Sequence, residues 1–172
     1  MIDTTKMAGA RGERGGGTQL ATFHVMDLFL GIDVLHVQEV LRHQHMTTVP
    51  LAPGVIEGLI NLRGQIVTAI DMRRRLGLSR RASGEGSMNV VVRTQEGAVS
   101  LLVDEIGDVL EVDAATFERP PDNLAPAARE LIRGVYKLKD RLLLVLDTER
   151  AVELPPGESA QLMRTPEGGS QE

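Results

Sequence analysis

Four histidines, a group of carboxylates and a run of arginines are the residues of this 172-residue chain whose types lend themselves to chemistry. The histidines are His24, His36, His43 and His45. His43 and His45 stand two apart and would share one face of a strand, the spacing of two metal ligands. No third histidine or acid follows at a suitable spacing, so the pair reads better as exposed edge residues or a partner contact. Asp104, Glu105 and Asp108 are close enough in sequence for acid–base work. Neighbours on a strand point to opposite faces, however, so Asp104 and Glu105 do not converge and a solvated rim is expected. The chain has no cysteine, which removes a thiol nucleophile, a Cys-ligated zinc site and any disulfide. No G-x-S-x-G, H-E-x-x-H or G-x-G-x-x-G is present, and Gly15 to Gly17 lack the GK[ST] ending of a phosphate loop. The expectation is a protein without catalysis, metal or cofactor.

What remains is charge and surface. Arg73 to Arg81 hold five arginines in nine residues, whereas Thr94 to Glu118 hold seven acids and no Lys or Arg. Segregated charge can steer a partner, but the ordinary reading is a solvated loop and a solvated sheet face. An alternative is a nucleic-acid-binding barrel that uses the Arg73–Arg81 loop. Such readers stack bases on aromatic rings, and this chain is 2% aromatic with a net charge of −5. Asn61-Leu62-Arg63-Gly64 reads as a turn in which Gly64 supplies backbone freedom and Asn61 bonds the local backbone. Arg63 then stands at a strand entrance with five donors. Two roles are open: a partner contact, or an internal ion pair with Glu39 or Asp71.

The elements that position these residues are mostly strands. "LATFHVM", "LFLGIDV", "QIVTAID", "NVVVRT", "AVSLLVD", "DVLEV" and "RLLLVLD" carry β patterns, with Asp27 marking a turn between the first two. "VLHVQEVL" fits strand and helix templates alike. Leu142 to Leu146 are five consecutive apolar residues, the mark of a strand buried on both faces. Short helices are expected over "GVIEGLI", "MRRRLG", "APAARELI" and "TERAV", with Asp71 and Asp147 as N-caps and Pro126 in a first turn. With 42% hydrophobic residues and almost no aromatics, the core must be aliphatic. Residues 1–18 and 155–172 read as flexible tails around a folded part, 19–154. The N-terminus has no apolar signal-peptide core and no run is long enough to span a membrane.

The chain also repeats itself. At an offset of 76, Ile56, Gly58, Leu62, Asp71 and Arg74 meet Ile132, Gly134, Leu138, Asp147 and Arg150. Arg63 meets Lys139. Upstream the offset drifts to 71 or 72, where Val37, Glu39 and Val40 meet Val109, Glu111 and Val112. A duplicated all-β unit of about 65 to 75 residues is the simplest account, with a boundary near 80–90. Leu142 to Leu146 are the candidate for the strand that packs the units together.

"LGIDVLHVQEVL", "VIEGLINLRGQIVTAIDMRRRLGL", "LLVDEIGDVLEV" and "LIRGVYKLKDRLLLVLDTERAV" resemble, in this order, the CheW family of chemotaxis coupling proteins. The resemblance runs from about Leu20 to Val152. It implies two SH3-like five-stranded β-barrels that share a hydrophobic core. It implies a cytoplasmic, non-catalytic adaptor at membrane-linked arrays. The partners implied are the signalling domain of a methyl-accepting chemoreceptor and the regulatory domain of a CheA-type histidine kinase. Val37, Glu39 and Arg63 fall where the family's partner-binding residues lie, and Val109 falls on a groove position in the second barrel. Gly58 and Asn61 fall in the adjoining segment. The chain departs from the family pattern at Leu30, where an aromatic is usual, and at Ala69, where Pro is frequent. Leu51-Ala52-Pro53 stands for a common Asn-Thr-Pro, and Ser100 and Tyr136 replace small residues. These departures suggest a coupling protein of a divergent or secondary chemosensory system.

Overall fold

The computed structural model describes residues 17–82 and 86–154. The expected tails lie outside the described residues, except that Gly17 and Thr18 already open the first strand. The first half runs β1 (Gly17–Val25), β2 (Leu28–Asp33), β3 (Val37–Arg42), β4 (Ile56–Leu62), β5 (Gln65–Asp71) and helix α1 (Met72–Arg75). The second runs β6 (Met88–Thr94), β7 (Gly97–Val103), β8 (Glu105–Asp113), β9 (Phe117–Glu118), α2 (Pro126–Leu131), β10 (Ile132–Lys137), β11 (Leu142–Leu146) and α3 (Thr148–Val152). The chain is thus all-β with short helices, as its patterning predicts.

Most elements sit where the sequence placed them. Asp71 and Asp147 cap α1 and α3 by accepting from the Arg73 and Arg150 amides. Pro126 opens α2. Of the two templates open for "VLHVQEVL", Val34–His36 form a single 3-10 turn and Val37 onward a strand. The expected helix over "GVIEGLI" is instead strand β4. Its apolar residues also fit a two-residue alternation, with Ile56, Gly58 and Ile60 inward and Glu57 and Asn61 outward. Pairing along β5 decides the matter, because a short helix has little intrinsic stability. In β11, Leu143 to Leu146 are buried as expected, but Leu142 is exposed at the strand start.

The strands form two sheets, in the orders β8-β1-β2-β11-β10-β9 and β3-β6-β7-β5-β4. Each sheet takes its opening hairpin from the other half. β1–β2 lies between β8 and β11, and β6–β7 lies between β3 and β5. The parallel ladders Leu144–Leu30 and Thr68–Val99 are the two equivalent joints. The downstream offset of 76 holds in detail: Ile56/Gly58 and Ile132/Gly134 mark the same register shift. The Asp71 amide bonds Val55 O at 2.8 Å, and the Asp147 amide bonds Leu131 O at 2.7 Å.

The upstream offset differs from the sequence expectation. Val25 and Leu28 close the first hairpin where Thr94 and Gly97 close the second, so the halves run 69 residues apart here. Each of β3 and β8 carries one extra residue at an equivalent bulge. Val40, opposite Val90, therefore corresponds to Val109, opposite Ala21, and Glu39 corresponds to Asp108. The V-x-E-V letters that suggested 72 sit in different places on their ladders.

One large aliphatic core runs between the sheets. It joins Phe23, Leu30 and Ile32 from the first hairpin to Ile70, Val90, Leu101, Leu131 and Leu146. A smaller cluster of Leu20, Phe29, Tyr136, Leu143 and Val145 fills the six-stranded sheet. The five-stranded sheet has Asn89 where the other has Leu20. There the buried Ser100 hydroxyl donates to Asn89 Oδ1 at 2.9 Å, and Asn89 Nδ2 donates to Arg42 O at 3.1 Å.

Candidate functional site

The β4–β5 hairpin turns through two residues, Arg63 and Gly64, with Leu62 paired to Gln65. Both turn residues have positive φ, 53° and 87°, as in the type I′ turn that matches the twist of paired strands. Gly64 adopts this conformation without steric cost; Arg63 does so against the usual preference of a side chain bearing Cβ. Asn61 stabilises the turn by accepting from the Gly64 amide at 2.9 Å. The expected Asn and Gly roles hold, and Arg63 proves to be a left-handed turn residue as well.

Held this way, the guanidinium meets Glu39 in a forked contact. Arg63 Nη2 lies 2.8 Å from Glu39 Oε1, and Nη1 lies 3.3 Å from Oε2. Of the two internal partners open from the sequence, Glu39 is the one engaged; Asp71 is paired with Arg74 and Arg81. β3 and β4 are the two ends of the five-stranded sheet, so the pair also shows that the sheet curls until its ends meet. The backbone bridge between Thr47 and Leu59 closes the same seam.

The remaining residues divide by role. Val37 lies two residues before Glu39, half-buried opposite Val92 and against the main core. The bulge between Val37 and Glu39 separates their registers. Gly58 is buried: a Cβ there would stand 2.7 Å from Thr47 O, so its missing side chain lets the closing segment cross β4. Gly134 plays the same part under Phe117 and Glu118 in the other half. Val109 stands in the other sheet on the edge strand β8, apart from the seam. Sequence reading missed Ile66, which pairs with Asn61 and is 61% exposed beside the turn. The alternation of "QIVTAID" carried that signal, since Val67 and Ala69 face inward.

Four of the five arginines of the run are engaged within the protein, and Arg80 is the exposed one, as a solvated loop would have it. Arg73 and Arg81 converge on Asp104, with Arg73 Nε 3.0 Å from Oδ2 and Arg81 Nη2 2.6 Å from Oδ1. Arg74 donates to Gly54 O and pairs with Glu57 and Asp71. Arg75 donates to the carbonyls of Arg150, Ala151 and Glu153, capping the C-terminus of α3. Nothing in this arrangement favours nucleic-acid binding.

Asp104 likewise is not a solvated rim residue. Its side chain is 15% exposed, and it also accepts from the Met26 amide at 2.6 Å. Burial pushes its carboxyl up, but the Met26 amide and the Arg81 and Arg73 guanidiniums outweigh burial and hold it below the ordinary carboxylate value. It ties the β1–β2 turn to α1 and to the segment after it. Among the histidines, His43 Nδ1 lies 3.0 Å from Ser87 Oγ, and His45 is exposed. His24 packs on Phe29, whose ring also lies under the Arg141 guanidinium. Among the described residues, no group of three or more potential metal ligands occurs. No helix among them is long and apolar enough to cross a membrane.

The chemotaxis protein CheW of Treponema pallidum is 29% identical over 136 residues, covering 77% of this chain and 80% of that protein. The chemotaxis protein CheW of Klebsiella aerogenes is 30% identical over 134 residues, covering 78% of this chain and 81% of that one. The crystal structure of the scaffolding protein TtCheW from Thermoanaerobacter tengcongensis superimposes with a TM-score of 0.74 at 27% identity, over 82% of this chain and 96% of that chain. With the model of the CheW-like domain matching residues 19–155, well over half of the chain, the chain belongs to the CheW-like domain family.

Proposed function

We propose that this chain is a non-catalytic coupling scaffold that joins the cytoplasmic signalling domain of a chemoreceptor to the regulatory domain of a CheA-type histidine kinase. It acts at cytoplasmic, membrane-linked arrays. The observation that carries this reading is the Arg63 guanidinium: it is forked onto Glu39, yet its side chain is 81% exposed on a stiff two-residue turn. Such a group offers donors to a partner carboxylate or carbonyl without having to be ordered first. Membership of a family whose relatives are named for chemotaxis supports the choice of partners. Val37, Glu39, Asn61 and Arg63 supply the contacts of the five-stranded sheet, with Gly58 shaping the strand beneath them. Val109 supplies an apolar contact on the other sheet.

The test is a pull-down with the receptor signalling domain and the kinase regulatory domain from the same organism. Capture of both is expected, and Arg63→Glu should weaken at least one while the thermal transition stays in place. If the wild-type protein captures neither domain, the coupling role is wrong.

A further inference from the structure

A cavity of about 380 Å³ opens at one end of the six-stranded sheet. Segments distant in sequence enclose it: the start of β1 at Thr18 and Leu20, the 3-10 turn after β2 at Asp33 and His36, and the β11–α3 junction. None of Val37, Glu39, Arg63 and Val109 lines it, so it lies outside the proposed coupling contacts. Its volume is that of a small-molecule site.

Two features distinguish it from a gap in packing. The first is a pair of idle hydroxyls. Tyr136 is 7% exposed and Thr148 6%, and both line the cavity. Neither hydroxyl bonds to any described residue, yet neither is sealed inside the protein. Polar groups on side chains so buried ordinarily have hydrogen-bond partners, so a partner from outside is expected. Phe117 lies 5.2 Å from Tyr136 between ring centres, which gives the cavity an aromatic wall. The second feature is charge. Asp33, Asp147 and Glu149 line the cavity against one guanidinium, Arg133, an excess of two negative charges with His36 neutral. Asp33 and Asp147 are half-buried in the wall, whereas Arg133 and His36 are exposed. Arg133 pairs with none of the three acids; their one ion pair among the described residues is Arg150 Nε, 3.9 Å from Asp147 Oδ2. Each acid is held by a backbone amide instead. Asp33 accepts from Leu35 at 2.9 Å, Asp147 from Arg150 at 3.1 Å and Glu149 from Gln95 at 3.1 Å. The carboxylates are thus fixed in position but not neutralised.

We propose that this cavity binds a small organic cation with an apolar body, an alkyl or aralkyl amine. The ammonium group finds acceptors in the wall carboxylates and the two hydroxyls. The apolar body lies against Leu20, Val145 and the rings of Phe117 and Tyr136, whose faces also attract a cation. An anionic ligand fits less well, because Arg133 alone would have to outweigh three acids.

Tyr136 is the only tyrosine of a chain without tryptophan, so tyrosine fluorescence reports on this cavity alone. Titration of the full chain with phenethylamine at constant ionic strength should change that fluorescence saturably. A dissociation constant of roughly 0.1–1 mM is expected, the strength open to so small a ligand. Phenylpropionate, a similar body with the opposite charge, should bind about tenfold more weakly or not at all. Asp33→Asn keeps an acceptor for the Leu35 amide and removes the charge; calorimetry should show the amine bound about tenfold more weakly. Tyr136→Phe keeps the ring, loses the hydroxyl and should weaken binding about threefold. No saturable binding of the amine up to about 10 mM overturns the proposal. Tighter binding of phenylpropionate than of phenethylamine overturns the sign of the ligand's charge and makes Arg133 the anchor. Amine binding unchanged in both variants refutes this cavity as the site.

Discussion

Arg63 and Glu39 form a forked ion pair at 2.8 Å in which the two partners differ sharply in exposure, 81% for the arginine side chain and 14% for the glutamate. The glutamate is fixed in the wall of the sheet and the arginine stands out from it. An ion pair so open to water contributes little to folding, about 0–1 kcal/mol. Its value lies in aiming a guanidinium.

Arg63→Ala should therefore leave the thermal transition within about 2–4 °C of wild type. Binding to the receptor or kinase domain should fall in the same preparation. A loss of stability as large as that of a buried pair, read by thermal melting, would make Arg63 a structural residue instead.

Asp104→Asn should behave in the opposite way. It removes the carboxylate on which the largely buried Arg73 and Arg81 guanidiniums converge, with Asp71 still 3.8 Å from Arg81. A loss of about 3 kcal/mol is expected. The pH dependence has a definite sign. Because the folded carboxyl titrates below its ordinary value of 3.8, its contribution is complete above that value and is lost as pH falls through the lower folded one. Urea denaturation between about pH 5 and pH 2 should show wild type losing this increment and Asp104→Asn lacking it throughout. Parallel pH profiles for the two proteins would contradict the assignment.

Gly58→Ala and Gly134→Ala test the closure of the two sheets. The new Cβ at residue 58 would stand 2.7 Å from Thr47 O, and at residue 134 it would stand 2.5 Å from Glu118 O and against the Phe117 ring. In each case backbone must move, at a cost of about 1–3 kcal/mol. Amide exchange should rise at Leu59 in the first variant and around Val135 in the second, the residues paired with those crossing segments. Unchanged exchange at those amides would mean that the glycines are not needed for the crossing.

Much of this was legible in the residues themselves. Strand periodicity and the two Asp caps depend on neighbours within a few positions, and the downstream repeat on matching letters at one fixed offset; each appears in the structure. What failed depends on distant partners. Arg73 and Arg81 read as solvated because Asp104 lies 31 and 23 residues away. β4 read as a helix because only its pairing with β5 selects one of two periodicities. Arg63 was open between a partner and an internal pair, and the structure shows the internal pair leaving the guanidinium exposed. The upstream offset differs because V-x-E-V letters recur at 72 by chance, whereas the ladders of the two halves correspond at 69 on both sides of the bulge.

The exchange of hairpins gives the last prediction. Each sheet borrows two central strands from the other half: β1–β2 separates β8 from β11, and β6–β7 separates β3 from β5. Either half alone would expose the unpaired edges and half of the shared core, so neither should fold by itself. The sequence between α1 and β6, residues 76–87, links the two halves. Two polypeptides, 1–82 and 86–172, should therefore be unfolded or aggregated when made singly. Mixed or co-expressed, they should form a one-to-one complex with the circular dichroism of the intact chain. Its stability should depend on concentration, as expected for an association that replaces a chain link. If residues 1–82 alone gave a cooperative thermal transition, the halves would be independent units and the exchanged hairpins would not be what holds them together.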